Sequence, residues 1–174
     1  MHIKTILEEG HSRENAIAIK NAIIKNPPLV EDLMECFFDD GIQLCQRASW
    51  PLMFLGVAAP EIIRPYLSAM VDHLPQAKHD AQIRNTVRIF EDIDIPEDLE
   101  GPLFEYCFGY LLDSKCATAI RAFSITVLEK ISNKHPELKE ELIGELRLQA
   151  DTGTVGFKNR AKKTLIRLEK STSR

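Results

Sequence analysis

The chain has 174 residues, of which 44% are hydrophobic and 28% are charged, and its formal net charge is −4. This length predicts one domain, residues 1–174, and the apolar fraction with so small a net charge excludes a disordered chain. No stretch approaches the roughly 18 uninterrupted apolar residues that a membrane span needs. The acidic first ten positions show no secretory signal, so we expect a cytoplasmic protein with reduced cysteines.

Apolar residues recur along the chain at the spacing of amphipathic helices, and no convincing strand alternation is present. Gly10 is placed to end a first short helix, and Ser12 is a suitable N-cap for the second. Prolines at 27–28, 60, 96 and 136 open later segments, because proline fits the first helical turn. The pattern predicts an all-α chain of about five helical hairpins, at roughly 2–25, 28–56, 60–92, 96–132 and 135–170.

An internal repeat is visible in the arginines. Arg47, Arg84 and Arg121 are each 37 residues apart, and a looser fourth copy places Arg160 another 39 residues along the chain. Chance matches between apolar residues are common, but arginines in phase are not. A period of this length indicates stacked structural repeats rather than a single globular core.

A 37-residue unit of two helices resembles the HEAT repeat, and the resemblance covers roughly residues 3–170. The first helix of a HEAT unit often carries an internal proline, and the repeat shift carries Pro65 onto Pro102. The resemblance implies a right-handed α–α superhelix, an armadillo-like solenoid in which neighbouring hairpins bury each other's apolar faces. Pro51 departs from the pattern, and we expect it to interrupt a second helix.

The resemblance also implies a ladder along the stack, in which a turn aspartate meets an arginine early in the second helix. We expect this ladder to fix the packing register; a row of phosphate-binding arginines is the alternative role. The candidate ladder residues are Asp40 with Arg47, Asp80 with Arg84, Asp113 with Arg121, and Asp151 with Arg160.

Charge is distributed unevenly. Residues 154–174 hold seven Lys or Arg and one acid, whereas residues 89–114 hold eight acids and no Lys or Arg. Each patch is either a solvated face or a binding surface: the acidic one suits a basic partner, and the basic one suits nucleic acid, an acidic partner or a second copy. The candidate binding residues are Lys158, Lys162, Lys163, Arg167 and Lys170 in the basic C-terminal helix, and Glu91, Asp92, Asp94, Glu97, Asp98 and Glu100 in the acidic strip.

Motifs of catalysis are missing from the sequence. Neither a phosphate-binding glycine loop, nor a G-x-S-x-G elbow, nor H-E-x-x-H, nor C-x-x-C occurs. We therefore expect no catalytic residue, no metal site and no cofactor.

The predicted function is a non-enzymatic protein–protein interaction or scaffold module, with another protein as partner and no membrane contact. The alternative is a nucleic-acid-binding or DNA alkylation-repair protein, since glycosylases of that kind are also helical-repeat proteins. Such an enzyme needs a basic groove and an aromatic platform for the base. The chain is acidic and we expect its single tryptophan, Trp50, in the core, so we expect no duplex binding at physiological salt.

Overall fold

The computed structural model describes the backbone of residues 2–172 and the side chains of residues 2–171. Within this range the secondary structure consists of α-helices and short 3₁₀ turns, with no strand. The predicted all-α fold class is therefore confirmed. The chain divides into two compact units, the first ending at Asp94 and the second beginning at Ile95.

The helices of unit 1 pack around one central helix. The central helix, α4, packs on α2, α3 and α7. The helices are α1 (Ile3–Glu9), α2 (Arg13–Lys25), α3 (Val30–Phe37), α4 (Ile42–Ala58), α5 (Pro60–Ile63), α6 (Leu67–His73) and α7 (Asp80–Asp92).

Side-chain caps set two of these helix starts. The backbone N–H of Asn15 donates to Ser12 Oγ at 3.0 Å, which confirms Ser12 as the N-cap of α2. His79 caps α7 in the same way, because its Nδ1 accepts from the Ala81 N–H at 3.0 Å. Gln82 completes this cap and also donates from Nε2 to the Phe37 carbonyl at 2.7 Å, so one buried amide ties α7 to the end of α3.

The prolines act differently from one helix to the next. Pro65 divides the first helix of the third hairpin, where a 3₁₀ turn at Arg64–Tyr66 separates α5 from α6. The expectation for Pro51 was wrong: α4 runs without interruption from Ile42 to Ala58, with the proline buried inside it. Proline removes one backbone hydrogen bond, and the packing of a 17-residue helix on three neighbours outweighs that loss.

Close packing in unit 1 depends on Gly56. A Cβ atom at this position would lie 2.8 Å from Ile63 Cδ1 and 2.9 Å from Ile89 Cγ1. Both isoleucines are fully buried. The absence of a side chain is thus what allows α4 to approach α5 and α7 so closely.

Unit 2 consists of two hairpins. Helix α9 is its centre, since it packs on α8, α10 and α11. The α8 helix continues through Pro102, which is exposed, so that water can reach the backbone carbonyl left without a partner. The helices are α8 (Glu97–Leu112), α9 (Thr118–Lys134), α10 (Lys139–Gln149) and α11 (Val155–Thr172), with a 3₁₀ turn at Pro136–Leu138 before α10.

Candidate binding surfaces

The arginines of the 37-residue repeat do not share one environment. Arg47 in α4 donates from Nη1 to the carbonyl oxygens of Leu7 at 2.8 Å and Glu8 at 2.9 Å, in the last turn of α1. The last carbonyls of a helix lack partners within it, and a cation is favourable there. Arg84, at the equivalent point of α7, is exposed. Arg47 thus caps the end of α1 from α4, whereas Arg84 is not placed as such a cap among the described residues.

Arg121 is the most deeply buried of the series, with 8% of its surface exposed. Its Nε donates to the Leu111 carbonyl at 3.3 Å, in the last turn of α8, and its Nη2 donates to Gln149 Oε1. The guanidinium also lies 4.6 Å from the centre of the Phe157 ring. One side chain of α9 therefore contacts each of the other three helices of unit 2.

The aspartates of the predicted ladder have other partners. Asp113 does not pair with Arg121, nor Asp40 with Arg47, because those guanidinium groups are bonded to backbone carbonyls instead. Asp80, the first residue of α7, is exposed. Three of the four aspartates bond to lysines: Asp40 to Lys78 Nζ at 3.4 Å, Asp113 Oδ1 to the Lys115 backbone N–H at 2.8 Å, and Asp151 to Lys162 Nζ at 2.8 Å.

A groove between α9 and α11 gathers positive charge on unit 2. Its volume is about 370 Å³, and none of the described residues that line it is acidic. We call it the cationic groove; its lining residues are Thr126, Gly156, Asn159, Arg160, Lys163 and Arg167. Five of these six lie on α11. Counted from Gly156 they follow at steps of three, one, three and four residues, so they share one face of that helix.

Two arginines of the cationic groove are fixed in place by bonds to α9. Arg160 donates from Nη1 to the Ala122 carbonyl at 3.2 Å and to Thr126 Oγ1 at 3.0 Å, and it lies over the Phe123 ring at 5.3 Å. Arg167 binds Glu129 with two hydrogen bonds of 2.6 Å. These bonds raise the pKa of Arg167 above its ordinary value. Because both guanidinium groups are already ordered by these bonds, a ligand that binds them would not have to order free side chains and lose the corresponding entropy.

The remaining residues of the basic C-terminal helix do not line the groove. Lys162 pairs with Asp151, and its hydrogen bond lowers the pKa of that exposed carboxyl. Lys158 is half-buried and Lys170 is exposed. Of the five basic residues predicted as a patch, Lys163 and Arg167 are those brought together at the groove. Neither Thr126 nor Asn159 was predicted; the three-and-four spacing along α11 is a signal for Asn159, whereas Thr126 comes from α9 and has no such signal.

Unit 1 carries an aromatic cluster that was not predicted from the sequence. The expectation that Trp50 belongs to the core was wrong, because it is half-buried: its ring lies 4.9 Å from that of His11 and 6.0 Å from that of Phe54, with which it stacks. The guanidinium of Arg13 lies 5.9 Å over the Phe54 ring. Tryptophan and arginine are the residues most enriched where binding energy concentrates in protein interfaces.

The acidic strip separates into residues with different roles. In unit 1, Arg88 pairs with Glu91 and, at 3.8 Å, with Asp92, while Asp94 is exposed. In unit 2, Glu97 and Asp98 are exposed in the first turn of α8. Four of the six residues of the strip, Asp92 among them, are therefore exposed, and the two carboxylates with little exposure, Glu91 and Glu100, are bonded to cations.

Glu100 is 5% exposed and is held by two donors at the end of α9. Lys134 Nζ donates to Oε1 at 2.5 Å, and His135 Nε2 lies 2.6 Å from Oε2. The Lys134 hydrogen bond, then that of His135, lowers the pKa of this carboxyl below its ordinary value. We call this arrangement the Glu100 clamp; it fastens the start of α8 to the end of α9.

Next to the Glu100 clamp lies a second groove of about 400 Å³. We call it the apolar groove, because three large apolar side chains form its walls. Phe104 on one wall is half-buried and stacks on Phe108, with ring centres 5.5 Å apart. Its lining residues are Glu97, Glu100, Gly101, Phe104, Ile131, His135 and Leu138.

Reactive thiols and metal ligands do not gather in the part of the chain that the structure describes. No group of three or more His, Cys, Asp or Glu side chains there has the geometry to hold a metal ion. Burial raises the pKa of the Cys36 thiol to about 11 and that of Cys107 to about 12, so both stay protonated at neutral pH.

The comparison with known protein families agrees with the helical fold. No curated protein and no solved structure matches the chain. Between residues 2 and 172 no helix is both long and apolar enough to cross a membrane. The HEAT repeat domain family matches residues 3–167, nearly the whole chain. The chain belongs to the HEAT repeat family.

Proposed function

We propose that the chain is a non-enzymatic protein-interaction module, and that the cationic groove of unit 2 receives an acidic segment of its partner. The observation that carries this proposal is the charge of the groove. Arg160, Lys163 and Arg167 line it, and no acidic residue does. Carboxylates of a partner would form charge-assisted hydrogen bonds with guanidinium groups that α9 already orients.

The aromatic cluster of unit 1 supports the same function. Trp50 and Phe54 present partly exposed, rigid rings beside Arg13. Aromatic side chains bury a large area at a low entropy cost, which makes them effective anchors in an interface. Both units thus offer an aromatic ring covered by an arginine, Phe54 by Arg13 and Phe123 by Arg160.

A nucleic-acid partner is the alternative, since phosphates also bind arginine and lysine. Duplex binding draws its affinity from many phosphate contacts, each of which contributes about 0.9 to the slope of log affinity against log salt. The cationic groove offers three cations, and Arg167 is already bonded to Glu129. A short acidic peptide can be held by so few cations, whereas a duplex needs a longer basic surface.

The test is affinity capture from an extract of the native host with three forms of the protein. Gly156 lines the groove, and a Cβ atom there meets nothing within 4 Å, so Gly156→Glu adds a negative charge without disturbing the packing. Gly144 in α10 has equally open surroundings outside the groove, and Gly144→Glu is the matched control.

We expect at least one protein to be retained by the wild type and by Gly144→Glu but lost with Gly156→Glu, and to remain bound after nuclease treatment. The same proteins retained by all three forms would contradict the proposal. Retention that nuclease abolishes would favour the nucleic-acid alternative.

A further inference from the structure

The apolar groove of unit 2 has a chemistry unlike that of the cationic groove. Its walls are the side chains of Phe104 on α8, Ile131 on α9 and Leu138 in the turn before α10. Phe104 and Leu138 are half-buried, so part of their apolar surface is accessible to a ligand. Burying such surface against an apolar side chain is favourable in proportion to the area removed from water.

A glycine with open space beside it lines the apolar groove. A Cβ atom at Gly101 would meet no other atom within 4 Å, although this residue lies within the 16-residue helix α8. Glycine inside a helix is less stable than alanine, so Gly101 lowers the stability of α8 while it leaves space free beside the groove. With about 400 Å³, the groove has room for one large side chain and part of its neighbour.

Two exposed carboxylates lie beside the apolar groove. Glu97 is exposed at the rim, and it forms no ion pair with any of the described residues. Glu137 stands on the other side of His135, with its Oε1 3.7 Å from His135 Nδ1. The Glu100 carboxylate is already satisfied by Lys134 and His135, so Glu97 is the carboxylate at the rim that remains to be paired.

From the apolar walls and the acidic rim together we infer that this groove binds a large apolar side chain of a protein partner whose neighbouring residue is lysine or arginine. The apolar side chain fills the space over Gly101 against Phe104 and Leu138. The adjacent cation lies at the rim, where Glu97 pairs with it. This site differs from the cationic groove both in its residues and in the sign of the charge it selects.

The experiment records amide chemical shifts of the ¹⁵N-labelled full chain while three short peptides are added. The probes are acetyl-Lys-Phe-Lys-amide, acetyl-Glu-Phe-Glu-amide and acetyl-Lys-Ser-Lys-amide. We expect the first to shift the amides of Gly101, Phe104 and Leu138 in a saturable manner, with millimolar affinity typical of so small a ligand. The other two should leave these amides unchanged, because one lacks the cations and the other lacks the apolar side chain.

Two glycines of α8 provide the matched variants. Gly101→Phe fills the groove and should abolish the shifts caused by the first peptide. Gly109→Phe places the same side chain on the same helix, also in open space but outside the groove lining, and should preserve them. Glu97→Gln leaves the packing intact and should weaken binding of the first peptide by roughly two- to fivefold, the effect of one exposed charge pair.

Equal shifts with the lysine and glutamate peptides would overturn the inference, as would shifts that persist in Gly101→Phe or an absence of shifts at the groove. If Gly101→Phe fails to fold, unchanged affinity in Glu97→Gln overturns the inference by itself. The amides of Asn159 and Lys163 report separately on the cationic groove, so failure at one site does not imply failure at the other.

Discussion

Arg167 on α11 holds the buried carboxylate of Glu129 on α9 through two hydrogen bonds of 2.6 Å each. A third bond of 3.0 Å comes from Thr164 Oγ1, which donates to Glu129 Oε2. Glu129 is 9% exposed, whereas the Arg167 side chain is 55% exposed. The pair therefore joins the two second helices of unit 2 and also presents an oriented cation at the cationic groove.

Removing the arginine of this pair should destabilise the fold. Arg167→Ala leaves a buried carboxylate with only Thr164 as its donor, and we expect a loss of about 1–2 kcal/mol, less than for a fully buried pair because Arg167 is half exposed. Urea unfolding measures this change. Lys170→Ala, on the same helix and exposed, is the control and should stay within about 0.5 kcal/mol of the wild type. Equal stability of the two variants would show that the pair contributes nothing to the fold.

Two arginines at the same phase of the repeat should respond differently to truncation. Arg121→Ala removes hydrogen bonds to Leu111 and Gln149 from a buried site and should cost about 2–4 kcal/mol. Arg84→Ala removes an exposed side chain and should change stability by less than about 0.5 kcal/mol. Thermal unfolding of both variants decides the matter. A similar loss for both would indicate that the two arginines are equivalent members of a ladder after all.

This contrast also shows how far the sequence predicts the structure. The 37-residue phase of the arginines identifies the repeat, because helical hairpins of equal length place equivalent residues at equal intervals. It does not predict their partners, since Arg47 and Arg121 reach carbonyls of different helices and Arg84 is exposed.

Some contacts have no local signal in the sequence. Gln82 donates to the carbonyl of Phe37, 45 positions away, and only the packed helices bring the two together. The cationic groove is an intermediate case. The spacing of Gly156, Lys163 and Arg167 predicts a shared face of α11, but the contribution of Thr126 from α9 depends on how the two helices pack.

Alanine should have opposite effects at two helical glycines. At Gly56 the added Cβ would meet two buried isoleucines at less than 3.0 Å, so Gly56→Ala should destabilise unit 1 by about 1–3 kcal/mol through overpacking. Gly109 in α8 has open surroundings, so Gly109→Ala should stabilise the helix by about 0.5–1 kcal/mol. Urea unfolding of both variants provides the comparison. A gain in stability for Gly56→Ala would contradict the close approach of α4 to its neighbours.

The Glu100 clamp should make stability depend on acid pH. Hydrogen bonds from Lys134 and His135 lower the pKa of Glu100 from its ordinary value of 4.5, so the unfolded chain binds this proton more tightly than the folded one. The stabilisation is complete above the unfolded pKa of 4.5, and it is lost as the pH falls below that value through the folded pKa.

Substitution of the clamp tests this pH dependence. Glu100→Gln should lower stability at neutral pH and flatten the fall in stability below about pH 4.5, because the titrating group is gone. Glu97→Gln, three residues earlier and exposed, should leave both unchanged. The measurement is the free energy of unfolding at a series of pH values. If the stability of Glu100→Gln fell below about pH 4.5 as steeply as that of the wild type, the clamp would be excluded as the source of the acid dependence.

The most direct test of the interaction-module account is fluorescence anisotropy with two labelled ligands, a glutamate-rich peptide and a DNA duplex, each at two salt concentrations. The account predicts that the peptide binds at physiological salt, that Gly156→Glu abolishes this binding while Gly144→Glu does not, and that the duplex shows no measurable binding. Submicromolar duplex binding that survives the higher salt, with no binding of the peptide, would contradict the account and favour a nucleic-acid function for this HEAT repeat chain.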